Sequence, residues 1–129
     1  MPKAGLRVAR WERDRLGYLQ PLVGPKLSPH LISAPVATGG KPVAIFLNVG
    51  ELGEFSQAKL SVLDEQLRPL AGFGPDAATA LTSSELRQRA LWGVNDRVTR
   101  DGSIRVRIDF TGARPEDIKL YGIYVAPVP

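Results

Sequence analysis

The sequence predicts an all-β fold, a single antiparallel β-sandwich of the jelly-roll kind with about eight strands over residues 1–129. Three observations carry this. Eleven prolines and thirteen glycines divide the 129 residues into short apolar runs, a spacing that suits strands and turns better than helices. Residues 104–110 alternate Ile104, Val106, Ile108 and Phe110 with Arg105, Arg107 and Asp109, the period of a strand with one buried face. Residues 43–49, VAIFLNV, form a nearly continuous apolar run, as an inner strand requires.

The elements follow in order. Residues 6–9, 16–19 and 30–37 read as short strands, 43–49 as the inner strand, and 58–64 and 85–92 as further strands. Asp101-Gly102 is a tight-turn signal ahead of the alternating strand at 103–111. Residues 119–125 close the domain before Pro127 and Pro129. One segment competes: residues 76–91 are rich in helix formers, and a short helical turn near 77–81 is the alternative there. Period two places Tyr121 with Ile123 on one face of the last strand and Tyr124 with Leu120 and Gly122 on the other, so one tyrosine faces outward.

A hydrophobic fraction of 43% and a charged fraction of 23% suit a domain with its own core. The absence of cysteine excludes disulfides and thiolate metal sites. No run approaches the roughly 20 apolar residues of a membrane helix, and no signal peptide is visible at the start. The net charge of +4 is confined to residues 1–30, with six basic residues against two acidic; the remainder is balanced, eleven against eleven. The stretch RWERDRLGYL at 10–19 is therefore the obvious candidate for gripping phosphate. Glu12 and Asp14 interrupt it and no aromatic-basic RNA-binding strand accompanies it, so nucleic acid is disfavoured as a partner. If 13–19 is a strand, Asp14, Leu16 and Tyr18 share one face.

Catalytic chemistry finds little purchase. His30 is the lone histidine, which excludes multi-histidine metal sites and histidine pairs, and no serine sits in a Gly-x-Ser-x-Gly elbow. Carboxylates pair up at Glu51/Glu54, Asp64/Glu65, Asp96/Asp101 and Glu116/Asp117, with Asp109 apart. Turn capping and solubility explain most of them, and Asp109 sits where a cross-strand ion pair would form. No Asp-x-Asp-x-Asp loop points to calcium. Gly50-Glu-Leu-Gly53 and Gly72-Phe-Gly74 lack the context of a phosphate loop. The expectation is no catalytic residue, no metal and no cofactor. Aromatic rings that could stack on sugars remain: Trp11, Tyr18 and Tyr124 are the candidate ligand-binding residues, with Trp11, set among charges, the leading platform and packing at an interface its equal alternative. Trp92 reads as core.

The ordered series RDRLGYL (13–19), GKPVAIFLNV (40–49), AKLSVLDEQLRPLAGF (58–73), LRQRALWG (86–93), GSIRVRIDF (102–110) and IKLYGIYV (118–125) resembles a β-sandwich module. That module is appended to bacterial glycoside-hydrolase-like proteins of the five-bladed-propeller, invertase and arabinanase-like, kind. The resemblance spans roughly residues 7–125. It departs at the turn usually written Asp-x-x-Gly, which is Asp64-Glu-Gln-Leu-Arg68 here, at Leu16 in place of Phe, and at Gly122 in place of Ser. It implies a non-catalytic accessory domain whose partner is a catalytic propeller domain, with weak carbohydrate binding. The alternative reading is a free-standing jelly-roll structural or assembly subunit that associates with itself.

Overall fold

A computed structural model describes Arg10, residues 14–22 and residues 28–128. Among the described residues there are seven strands: β1 His30–Ile32, β2 Val36–Ala37, β3 Val43–Gly50, β4 Gln57–Leu63, β5 Glu85–Arg89, β6 Ser103–Thr111 and β7 Lys119–Pro127. The helical content of the described residues is one 3-10 turn, Pro115–Asp117, and no helix is long and apolar enough to cross a membrane. All pairings are antiparallel. In one sheet β6 is central, with β4 on one side and β1 followed by β2 on the other. The second sheet runs β5-β3-β7.

The two sheets close on one core. Val43, Ile45, Leu47 and Val49 from β3 form one buried cluster with Ala58, Leu60 and Val62 from β4 and Ile104, Val106, Ile108 and Phe110 from β6. The burial of β6 alternates over its whole length, as its sequence requires, and the chain is an all-β antiparallel sandwich. Trp92 lies within this core, 2% exposed. Its indole nitrogen donates to the Leu60 carbonyl at 2.9 Å, and its ring meets Phe73 edge-on at 5.1 Å.

Two strand expectations change, at 30–37 and at 16–19. Residues 30–37 are not one strand: the segment around Pro35, which has no amide proton to give, separates β1 from β2. The strand expected at 85–92 is present as β5, and the alternative of a helical turn near 77–81 does not form. Leu81 exchanges both backbone hydrogen bonds with Ala58, and the Thr79 amide donates to the Leu91 carbonyl, so the edge of β4 captures a segment whose intrinsic preference is helical. Residues 16–19 are not a strand either. Only Leu19 pairs, its amide and carbonyl bonding Leu120 of β7 at 2.8 and 2.9 Å. The segment 6–9 lies outside the described residues.

Candidate functional site

The outer face of the β5-β3-β7 sheet gathers the aromatic residues. Ala44, Phe46 and Asn48 alternate outward from β3 against the inward Ile45 and Leu47, and Arg87 and Arg89 of β5 stand beside Phe46. The ladder then slips: β3 shifts register against both neighbours, between Leu47 and Val49 on the β5 side and between Asn48 and Val49 on the β7 side. Such irregularities re-aim side chains. Here they overturn the period-two argument for β7, because Tyr121 and Tyr124 both reach this side of the sheet.

Residues 14–18 lie across the face as a strap. Asp14 adopts φ 59, a left-handed conformation that aspartate tolerates better than most residues. Asn48 is fully buried, and a buried amide without partners would be costly. The strap supplies them. Asn48 Nδ2 donates to the Asp14 carbonyl at 2.8 Å, and Arg15 Nε donates to Asn48 Oδ1 at 3.1 Å. Arg15 Nη2 also caps the Val49 carbonyl at 3.1 Å, at the site of the register shift. Asn48 Nδ2 reaches the Tyr124 hydroxyl at 3.3 Å, and that hydroxyl donates to Asp14 Oδ2 at 3.5 Å. Residues 14–19 of the RDRLGYL motif therefore abandon the strand period: Arg15 turns into the sheet because a buried amide and a displaced carbonyl need its donors.

Each ring on this face carries a cation. The Arg15 guanidinium lies 4.8 Å from the Tyr121 centroid, and Lys119 Nζ lies 5.1 Å from that of Tyr18. Arg87 lies 4.6 Å from Phe46 and 5.4 Å from Tyr124, and Arg89 lies 5.7 Å from Phe46. Tyr18 packs edge-on to Tyr121 at 5.7 Å. Of the sequence candidates, Tyr18 is the exposed ring, at 51%. Tyr124 is half-buried, with its hydroxyl committed to the strap. The two meet only indirectly, through Arg15, Asn48 and Tyr121. Trp11 lies outside the described residues. Phe46, Arg87, Arg89 and Lys119 complete the face and were missed. Their signal was the alternation within 44–48 and 87–89, hidden in β3 by an otherwise continuous apolar run.

The carboxylates are spread over the molecule. Glu51 and Glu54 line a cleft of about 390 Å³ beside the strap, together with Arg15, Arg114 and Asp117. Asp96 pairs with Arg89 and Arg97, Asp109 with Arg107, and Asp117 with Arg114. Among the described residues, no three His, Asp or Glu side chains come together as a metal site requires. Three acids are held below the usual carboxylate range. Asp64 accepts from the backbone amides of Arg68 and Gln66. Glu65 accepts a backbone amide bond and then the Arg100 guanidinium. Asp96 accepts from Arg97, with Arg89 nearby.

The face can stack the apolar side of a sugar ring on Tyr18 and offer N–H donors from the neighbouring cations to hydroxyls. No protein-family model, no curated protein and no solved structure matches this chain.

Proposed function

We propose that this chain is a non-catalytic β-sandwich module that docks on a glycoside-hydrolase-like propeller domain and contacts carbohydrate weakly through Tyr18 and its neighbours. The observation that supports docking is an apolar concentration on one short segment. Leu16, Leu19 and Leu22 are 73%, 59% and 87% exposed, and Tyr18 stands among them. Beside them lies a cleft of about 470 Å³ walled by Leu31, Leu120, Tyr121 and Ile123. Clustered exposed apolar side chains mark protein contacts far more often than isolated ones do. The segment belongs to the opening motif of the resemblance, and the catalytic partner of such modules precedes them.

Calorimetric titration against five-bladed-propeller glycoside hydrolase domains from the same genome tests the docking. Saturable binding that Leu16→Asp with Leu22→Asp abolishes, at unchanged melting temperature, is the expected result. A neutral glycan panel tests the second half, with Tyr18→Ala weakening any sugar that binds. No binding in either titration sinks the reading. The same apolar segment supports a second one, a self-associating assembly subunit. Sedimentation equilibrium separates them: a dimer or larger species dispersed by Leu22→Asp belongs to the assembly reading.

A further inference from the structure

The opposite sheet carries a second recess with different chemistry. On β4 the side chains of Lys59, Ser61 and Leu63 point away from the core into which Ala58, Leu60 and Val62 pack, and on β6 those of Arg107, Asp109 and Thr111 do the same. Lys59 stands opposite Asp109 in the ladder, and Ser61 opposite Arg107. The loop bearing Leu67, Pro69 and Pro75 walls one side, and Pro29, Ala113 and Pro115 wall the other. The result is a groove of about 720 Å³, within the range of about 300–1,000 Å³ typical of small-ligand sites.

Three features of its floor are those of a polar binding site. Arg107 grips Asp109 through Nε, 3.2 Å from both carboxylate oxygens, and through Nη2 at 3.0 Å. Nη1 is left without a partner among the described residues. Lys59 is half-buried and makes no ion pair or hydrogen bond with the described residues. Ser61 is 1% exposed, and its hydroxyl has no hydrogen-bond partner among the described residues, a condition that buried polar groups seldom keep. The ionised residues lining the groove are Lys59, Arg107 and Asp109, so its net charge is positive.

We infer that this groove binds an acidic saccharide, a short chain of uronic acid residues. The proline and leucine walls suit the CH faces of sugar rings. Lys59 and the Nη1 of Arg107 supply charge-assisted donors for a carboxylate, while Asp109 and Thr111 take hydroxyl hydrogens. A neutral sugar would leave the Lys59 charge unanswered. The groove lies on the sheet opposite Tyr18 and Tyr124, so the inference stands apart from the docking proposal.

The test is NMR titration of the chain, at low and at high salt, with a galacturonic acid trisaccharide and with its neutral galactose counterpart. Expected are shifts confined to β4, β6, the loop at 64–75 and the walls at 28–29 and 112–115, saturation by the acidic trisaccharide at low salt, weakening at high salt, and much weaker binding of the neutral one. Lys59→Gln, which breaks no pairing among the described residues, should weaken the acidic trisaccharide about tenfold. Tyr18→Ala should leave it unchanged. No saturation at millimolar trisaccharide, equal binding of the two sugars, unchanged affinity in Lys59→Gln, or shifts centred on Tyr18 and Tyr124 would each overturn the inference.

Discussion

Leu67 sits at φ 64, a conformation that costs a residue with a Cβ roughly 1–2 kcal/mol. It is tolerated because Asp64 organises the turn around it. Asp64 Oδ1 accepts from the amides of Gln66 and Arg68 at 2.9 Å each, and the Leu67 amide returns to the Asp64 carbonyl at 3.1 Å. A hairpin that a glycine would close without strain is thus closed here at a cost. Leu67 is 51% exposed, so removing its side chain forfeits little burial. Leu67→Gly should therefore stabilise the protein by about 0.5–1 kcal/mol, read as a rise in melting temperature. A fall would mean that the side chain packs more tightly than its exposure indicates. The acids nearby give a pH dependence. Asp64, Glu65 and Asp96 are depressed in the folded state, so they bind protons less readily there than in the unfolded chain. Their stabilisation is complete above the unfolded value of about 4 and is lost as pH falls through the lower folded values. The melting temperature should fall as pH drops below about 4.5. Combining Asp64→Asn, Glu65→Gln and Asp96→Asn should flatten that fall.

Gly112 shows what an element can demand of one position. It follows β6 at φ 103, and a Cβ there would lie 2.3 Å from the Phe55 carbonyl oxygen and 2.8 Å from its carbon. That carbonyl accepts the Arg114 amide at 2.7 Å, so the neighbour that would have to move is backbone already engaged. Gly112→Ala should cost about 3 kcal/mol from backbone strain and overlap together, measured by urea unfolding with an unchanged slope. The strand before it was legible because a period-two alternation across nine residues has no other reading. Residues 43–49 were legible as an inner strand for the same reason of burial, yet their outward residues were not, since Ala44, Phe46 and Asn48 look apolar or neutral in the run. Residues 76–91 left a helical turn near 77–81 open beside the strand at 85–92, because helix propensity is local, whereas the β4 edge that captures Leu81 is about twenty residues away in the sequence. RDRLGYL misled. Its residues permit a strand, and only the buried Asn48, more than thirty positions on, explains why Arg15 turns inward.

At the scale of the molecule the strap and the sandwich are separable units of stability. The core is shared by both sheets, whereas residues 14–19 are attached through Arg15, the Asp14 carbonyl, the ring of Tyr18 and the Leu19 pairing with β7. Arg15→Ala removes a charged donor from Asn48 Oδ1 and from the Val49 carbonyl, and the ring of Tyr121 loses its cation. Charged hydrogen bonds of this kind contribute about 1.5–3 kcal/mol. The loss should fall first on the strap, because local opening follows the weakest attachment. Amide exchange at Leu19 and Leu120, which bond each other, should accelerate by about tenfold or more, while the central amides of β3 and β6 slow or quicken only with global stability. The docking proposal depends on this geometry, since Leu16, Tyr18 and Leu22 can present one surface only while Arg15 fixes the segment that carries them. Arg15→Ala should then weaken propeller binding although Arg15 is turned away from that surface. Unchanged binding with accelerated Leu19 exchange would show that the partner recognises the segment without needing it held.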